Sequence, residues 1–200
     1  MSEKRWTVGV VAFEDRMPPL PPGKMSAAQR KAADEMSAGP RGGVKGPFVA
    51  LLRSPELMDR LQKVGEYLRF NSSLEPRIGE FVMLIVSREW SQQFEWFVHV
   101  PLARKAGLGE ALIAALAERR RPQGMREDEE IIYDFCDELQ RTRGVSQTSY
   151  RRAVQKFGET GVIDIVAVAG YFTTVSMLMN VAHTPPPEDA SVPPLLPLPF

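Results

Sequence analysis

Glu95 and His99 stand four positions apart in the stretch Gln92-Gln93-Phe94-Glu95-Trp96-Phe97-Val98-His99. On a helix that spacing sets both side chains on one face, within hydrogen-bonding reach. A carboxylate beside an imidazole fixes its tautomer and raises its pKa, which makes a usable general acid or base. Spacing alone also fits an ordinary ion pair. The surroundings favour chemistry. His99 lies among Trp96, Phe97, Val98, Val100, Pro101 and Leu102. Glu80 sits in the preceding, nearly all-apolar segment, where an acidic side chain is rarely buried without a partner. A Glu80 buried beside His99 would complete a functional cluster. The alternative partners for Glu80 are Arg77 and Arg88.

These residues need helices to position them. Residues 76–88 open on Pro76 and carry Phe81, Val82, Leu84, Ile85 and Val86, apolar nearly all round, so they belong at the centre of a core. A helix over 92–106 follows and stops at Gly107, a C′ glycine. Upstream, Ser26 and Gln29 form a capping box for a helix that Gly39 and Pro40 end. Residues 39–48 form a glycine-rich loop with Arg41 and Lys45, in a spacing that matches no nucleotide-binding loop. Ser54 and Pro55 start a helix with Leu57, Leu61, Val64 and Leu68 at helical spacing. Further helices are predicted over 109–118, 127–141, 147–157 and 161–182. Outside the short run Val8 to Ala12, no segment alternates as a strand does. The expected fold is all-α, with six to eight helices. The expected organisation is an extended arm over 1–25, a helical domain over 26–183 and a proline-rich tail over 184–200.

Composition narrows the function classes. The chain has 200 residues, with 25 Lys plus Arg against 25 Asp plus Glu, so its formal charge is zero. A nucleic-acid binder normally carries a basic excess; the basic strip Arg151, Arg152, Lys156 reads as a solvated helix face. The single cysteine, Cys136, rules out an internal disulfide and a C-x-x-C pair. No metal or organic cofactor is expected, although a Glu-x-x-x-His pair can supply two ligands to a divalent ion. Residues 165–182 carry no charge, but Gly170, Thr173, Thr174, Ser176 and Asn180 interrupt them; a buried core helix is expected, not a membrane span. The N-terminus does not read as a signal peptide, and a cytoplasmic location is expected.

One longer pattern joins the site residues. Leu74, Pro76, Arg77 and Glu80, then Glu95, Trp96, His99, Pro101, Leu102, Ala103, Lys105, Ala106, Gly107 and Leu108, resemble the carboxymuconolactone decarboxylase and alkylhydroperoxidase D-like superfamily. The resemblance extends loosely to 133–139, 145–150 and 170–180. It implies an all-helical alkylhydroperoxidase D-like bundle, usually a trimer or hexamer. It also implies Glu80 as a proton relay to His99. The peroxidase branch keeps two cysteines that fall here on Gln92 and Glu95, so its dithiol chemistry is absent. The decarboxylase branch needs no dithiol and no cofactor. It needs a cation for a carboxylate, a donor for a developing enolate oxygen, and an acid to protonate carbon.

The resulting expectation is a lyase on a small carboxylated lactone or related carbonyl compound, of the kind met in the breakdown of aromatic compounds. His99 would be the acid, with Glu95 and Glu80 setting its charge. Arg41 and Arg69 would hold carboxylate, and Gln92, Trp96, Tyr67 and Tyr171 would line the pocket. Two alternatives stand beside it: a peroxiredoxin-like protein that reduces hydroperoxides, and a non-catalytic oligomeric binding protein. The tail, with Leu195, Leu196, Leu198 and Phe200, is expected to lie on a neighbouring subunit.

Overall fold

The computed structural model describes residues 5–8, 11–187 and 192–196, the first two segments through residue 13 as backbone only. The described residues form eight α-helices, a 3-10 turn and one small hairpin. Strands β1 (Arg5–Val8) and β2 (Val11–Glu14) pair antiparallel where the sequence reading placed an extended arm.

Helix α1 (Ala27–Ala38) begins as its sequence dictates. The Ser26 hydroxyl accepts from the Gln29 backbone N–H, and the Gln29 side chain accepts from the Ser26 N–H. The glycine-rich loop then leads into a helix the periodicity did not reveal, α2 (Pro47–Leu51). It is too short to show a repeat. Proline at its first position and the burial of Phe48, Ala50 and Leu51 hold it in place. Helix α3 (Pro55–Phe70) follows.

Helix α4 (Pro76–Glu89) is the axis of the molecule. Phe81, Val82, Leu84 and Val86 are completely buried. Each such side chain contributes about 1.5–3 kcal/mol relative to exposure. Around α4 pack α5 (Gln93–Lys105), α6 (Glu110–Ala117), α7 (Glu127–Thr142) and α8 (Gln147–Ala182). Gly107 ends α5 region with φ +91°, the left-handed geometry expected there.

The two helices predicted over 147–157 and 161–182 are one element, α8, broken at Gly158 by φ +70° and ψ 174°. Glycine reaches that conformation without steric cost, so the chain bends there and resumes. Asp164, buried just beyond, accepts from the Ser73 N–H and hydroxyl, both at 2.7 Å, and from the Tyr67 hydroxyl at 3.2 Å. This pins α8 to the turn after α3. By length and composition α8 could cross a membrane, and 56% of its most apolar stretch is buried inside the protein.

Residues 192–196 lie on the chain's own core, with Val192 and Leu195 buried. Leu198 and Phe200 lie outside the described residues.

Candidate active site

The turn between α4 and α5 makes the site. Ser91 at φ +45° reverses the chain. Gln92 then caps α5, its side-chain oxygen accepting from the Phe94 N–H at 2.6 Å and the Glu95 N–H at 3.3 Å. The two helices run antiparallel, and Glu80 on α4 comes to lie beside His99 on α5.

Both ring nitrogens of His99 face carboxylates. Nδ1 lies 2.7 Å from Glu80 Oε2, and Nε2 lies 3.1 Å from Glu95 Oε2. The His99 side chain is 2% exposed, Glu95 6% and Glu80 14%. The Phe172 ring meets the imidazole edge to face at 5.0 Å. Burial by itself would lower the His99 pKa. The Glu80 and Glu95 carboxylates outweigh it and push the pKa up to about 9. At neutral pH the ring is therefore an imidazolium giving one N–H to each carboxylate.

A cavity of about 270 Å³ opens on Glu95 and His99. Its walls include Arg41, Lys45, Arg69 and Tyr171, with Phe48, Phe70, Phe94 and Phe172 around them. The loop carrying Arg41 and Lys45 passes close over α5. At Gly46, with φ +56°, a Cβ would meet the Phe94 ring at 2.5 Å, so the approach needs glycine.

Arg41 is the most unusual side chain in the wall. Its Cζ stands 4.7 Å from the centre of the Phe48 ring. Its Nε and Nη2 are buried and have no hydrogen-bond partner. Those two atoms form one edge of the guanidinium. On the surface, Arg104 uses the same edge to hold Glu110, Nε to Oε2 at 2.8 Å and Nη2 to Oε1 at 2.6 Å. Buried donors left unpaired are costly, and a carboxylate is the group whose two oxygens match such an edge. Burial first, then the nearby Arg69 charge, holds the Arg41 pKa below its ordinary value. Gly65 makes the arrangement possible: a Cβ there would lie 2.3 Å from Tyr171 Oη and 2.8 Å from Arg41 Nη2. Burial pushes the Tyr171 phenol up to about 12, so it remains a neutral hydroxyl.

Of the residues read from sequence, Glu80, Glu95, His99, Arg41, Arg69 and Tyr171 converge on this region. Glu80 meets the cavity only through His99, and three other residues do not line it. Trp96, about a quarter turn round α5 from the Glu95–His99 face, is buried in the core. Gln92 is a helix cap whose amide nitrogen donates to Asn180 Oδ1 at 3.0 Å. Tyr67 turns to Asp164 and solvent. Gln92 and Trp96 stand close to the Glu95–His99 pair in sequence, but a helix and its cap send neighbours to different faces. The sequence reading missed Gly65 and the aromatic wall of Phe48, Phe94 and Phe172. Lys45 was visible only as a loop cation. None of these has a spacing that ties it to His99.

Behind the array, on the far side of Glu80, lies a second cleft of about 510 Å³ lined by Glu75, Arg77, Glu80, Leu102 and Lys105. Cys136 is on α7, fully buried, its thiol pushed up to about 12 by burial. Among the described residues no group of three His, Cys, Asp or Glu side chains is arranged to hold a metal ion.

No family model and no curated protein matches the sequence. Solved structures do match the fold. An uncharacterized peroxidase-related protein from Ralstonia eutropha, described as an alkylhydroperoxidase AhpD core, superposes with a TM-score of 0.71 at 15% identity, covering 89% of this chain and 97% of that one. A peroxidase-related protein from Silicibacter sp. gives 0.66 at 16% identity, covering 87% and 91%. A protein of unknown function from Agrobacterium tumefaciens, tied in its description to the antioxidant defence protein AhpD, gives 0.62 at 18% identity, covering 70% and 96%. A helical bundle with α5 to α8 packed about α4, superposing on these three over most of their lengths, establishes that the chain has the alkylhydroperoxidase D-like helical fold.

Proposed function

We propose that the protein is a cofactor-free acid–base enzyme of the lyase type, acting on a small carboxylated lactone or related carbonyl compound. One observation carries this reading: a cavity is lined by a carboxylate-flanked imidazolium and by Arg41, whose Nε–Nη2 edge is buried without a protein partner. The Arg41 edge, with Arg69, seats the anionic end of the substrate. The Tyr171 hydroxyl donates to the carbonyl oxygen on which charge gathers. The bond to the leaving carboxylate breaks, carbon dioxide departs, and the electron pair moves toward that carbonyl. Carbon then takes a proton.

The donor is Glu95 backed by His99. Nε2 faces Glu95 and Nδ1 faces Glu80, so neither ring nitrogen is left for the substrate. The Nε2 proton passes to Glu95, and from Glu95 to carbon. His99 becomes neutral, keeping its Nδ1 proton on Glu80. Water entering the emptied cavity returns a proton on the Glu95 side. The test is release of carbon dioxide from small carboxylated lactones by the purified chain. Its absence across such compounds, with the His99 resonances intact, would end the proposal.

A second reading has its own support. The neighbours in fold are described as peroxidase-related, which favours hydroperoxide reduction. A thiol route would have to run through the buried Cys136. Dithiol-driven turnover of an organic hydroperoxide, abolished by Cys136→Ser, would establish it.

Self-association as a trimer or hexamer belongs to the same proposal. It is supported by the exposed apolar residues Ile163, Val166, Met177 and Val181 along one side of α8. Light scattering showing a monomer at micromolar concentration would remove it.

A further inference from the structure

The corner between α4 and α5 is polar in sequence, Ser87-Arg88-Glu89-Trp90-Ser91-Gln92-Gln93, yet Arg88, Ser91 and Gln93 are all buried. What buries two of them is residues 192–196. The Gln93 amide reads the backbone of one residue from both sides: Nε2 donates to Leu195 O at 2.9 Å, and Oε1 accepts from Leu195 N at 3.0 Å. Arg88 Nη1 donates to Ser91 Oγ at 2.9 Å and to Leu196 O at 3.2 Å.

These contacts read main chain, so they do not depend on side-chain identity. Selectivity comes from two apolar anchors. Val192 and Leu195 are buried to 6% and 1% exposure, while Leu196 points outward. They are separated by Pro193 and Pro194. Proline fixes φ near −65° and favours the polyproline II form, which repeats about every three residues. Val192 and Leu195 thus fall on one side of such a segment. Arg88 Nε stays buried with no partner, so the corner offers one donor more than the resident segment uses.

We propose that this corner is a docking seat for extended, proline-interrupted apolar segments supplied by another polypeptide, and that residues 192–196 are its tethered occupant. A built-in occupant holds the seat because tethering gives it an effective concentration on the order of millimolar. A partner engages when its segment outcompetes the tail. The anchor pattern it must carry is an aliphatic residue, two prolines and a second aliphatic residue. The seat is separate from the cavity at Glu95 and stands or falls without it.

The experiment uses the full chain and a fluorescein-labelled synthetic peptide of residues 191–200, read by anisotropy. Leu195→Asp expels the chain's own anchor and opens the seat. The peptide is expected to bind Leu195→Asp at least tenfold more tightly than wild type. Adding Gln93→Ala should weaken that binding by tenfold or more. A peptide with both prolines replaced by alanine should also bind more weakly. Equal peptide binding by wild type and Leu195→Asp, or no effect of Gln93→Ala, overturns the proposal. Amide hydrogen exchange guards against misfolding of the variant. In the wild-type chain the Leu195 N–H should exchange slowly, and more rapidly in Gln93→Ala. An unprotected Leu195 N–H in the wild type would equally overturn it.

Discussion

Helix α4 carries two charged triads of similar outline. Near its start, Arg77 is flanked by Glu129 at 2.6 Å and Asp128 at 2.5 Å. One turn further, Glu80 reaches His99, which Glu95 flanks from the other side. Both place a cation between two carboxylates in a largely buried setting. They differ in what the cation can do. A guanidinium is permanently charged and keeps its protons, so the Arg77 triad can only tie α4 to the start of α7. An imidazolium can lose a proton and recover it, and His99 borders a cavity lined also by Arg41, whose buried Nε–Nη2 edge has no partner. The same charge pattern thus holds the fold together at one end of a turn and is equipped for proton transfer at the next.

Removing the titratable triad should have the largest effect. His99→Ala and Glu95→Gln should each lower turnover about 10²–10⁴-fold, the usual range for losing a general acid or base. Circular dichroism should show an intact fold. A variant that melts far lower yet turns over at the wild-type rate would make the His99 triad structural like its neighbour.

Removing Arg77 should do the reverse. Arg77→Met leaves Glu129 buried without its cation, which typically costs about 3–5 kcal/mol. Chemical denaturation should register the loss, while turnover per folded molecule stays near wild type. A loss of turnover with unchanged stability would move Arg77 into the site.

Arg41→Lys keeps the charge but loses the two-donor edge. Its effect should fall on substrate recognition, with kcat/KM lower by about ten- to hundredfold, the range for hydrogen bonds to a charged group. An unchanged value would show that the edge meets no substrate.

The pH dependence of stability separates the triads more gently. The His99 pKa is raised on folding from an ordinary 6.5 to about 9, so folding takes up protons there. The stabilisation is full below pH 6.5 and is lost as pH rises toward about 9. Denaturation midpoints should therefore fall across that window in wild type, and less steeply in His99→Gln. Nitrogen-15 resonances of His99 should report the same transition. A ring that titrates near 6.5 would mean the carboxylates do not hold the proton.

The smallest effect is expected at Cys136. A fully buried thiol with its pKa near 12 has almost no thiolate at neutral pH. It should react with a thiol reagent only on unfolding, and Cys136→Ser should change any turnover little.

Residues close together in the chain were enough to mark the local elements and the central pair. Capping chemistry marked α1 through Ser26 and Gln29, and periodicity with Pro76 marked α4, because both depend on residues close in the chain. Glu95 and His99 were legible for the same reason, being one helical turn apart. Pairing Glu80 with His99 drew on the family resemblance, and the fold supplied its geometry by laying α4 against α5. Tertiary structure alone decided the rest. It brought Arg41 from a loop, Gly65 from α3 and Tyr171 from α8 to one wall, while turning Tyr67, Gln92 and Trp96 elsewhere. It also laid residues 192–196 on the chain's own α4–α5 corner. Contacts between distant segments depend on how helices cross and which faces meet, and no short-range spacing encodes that.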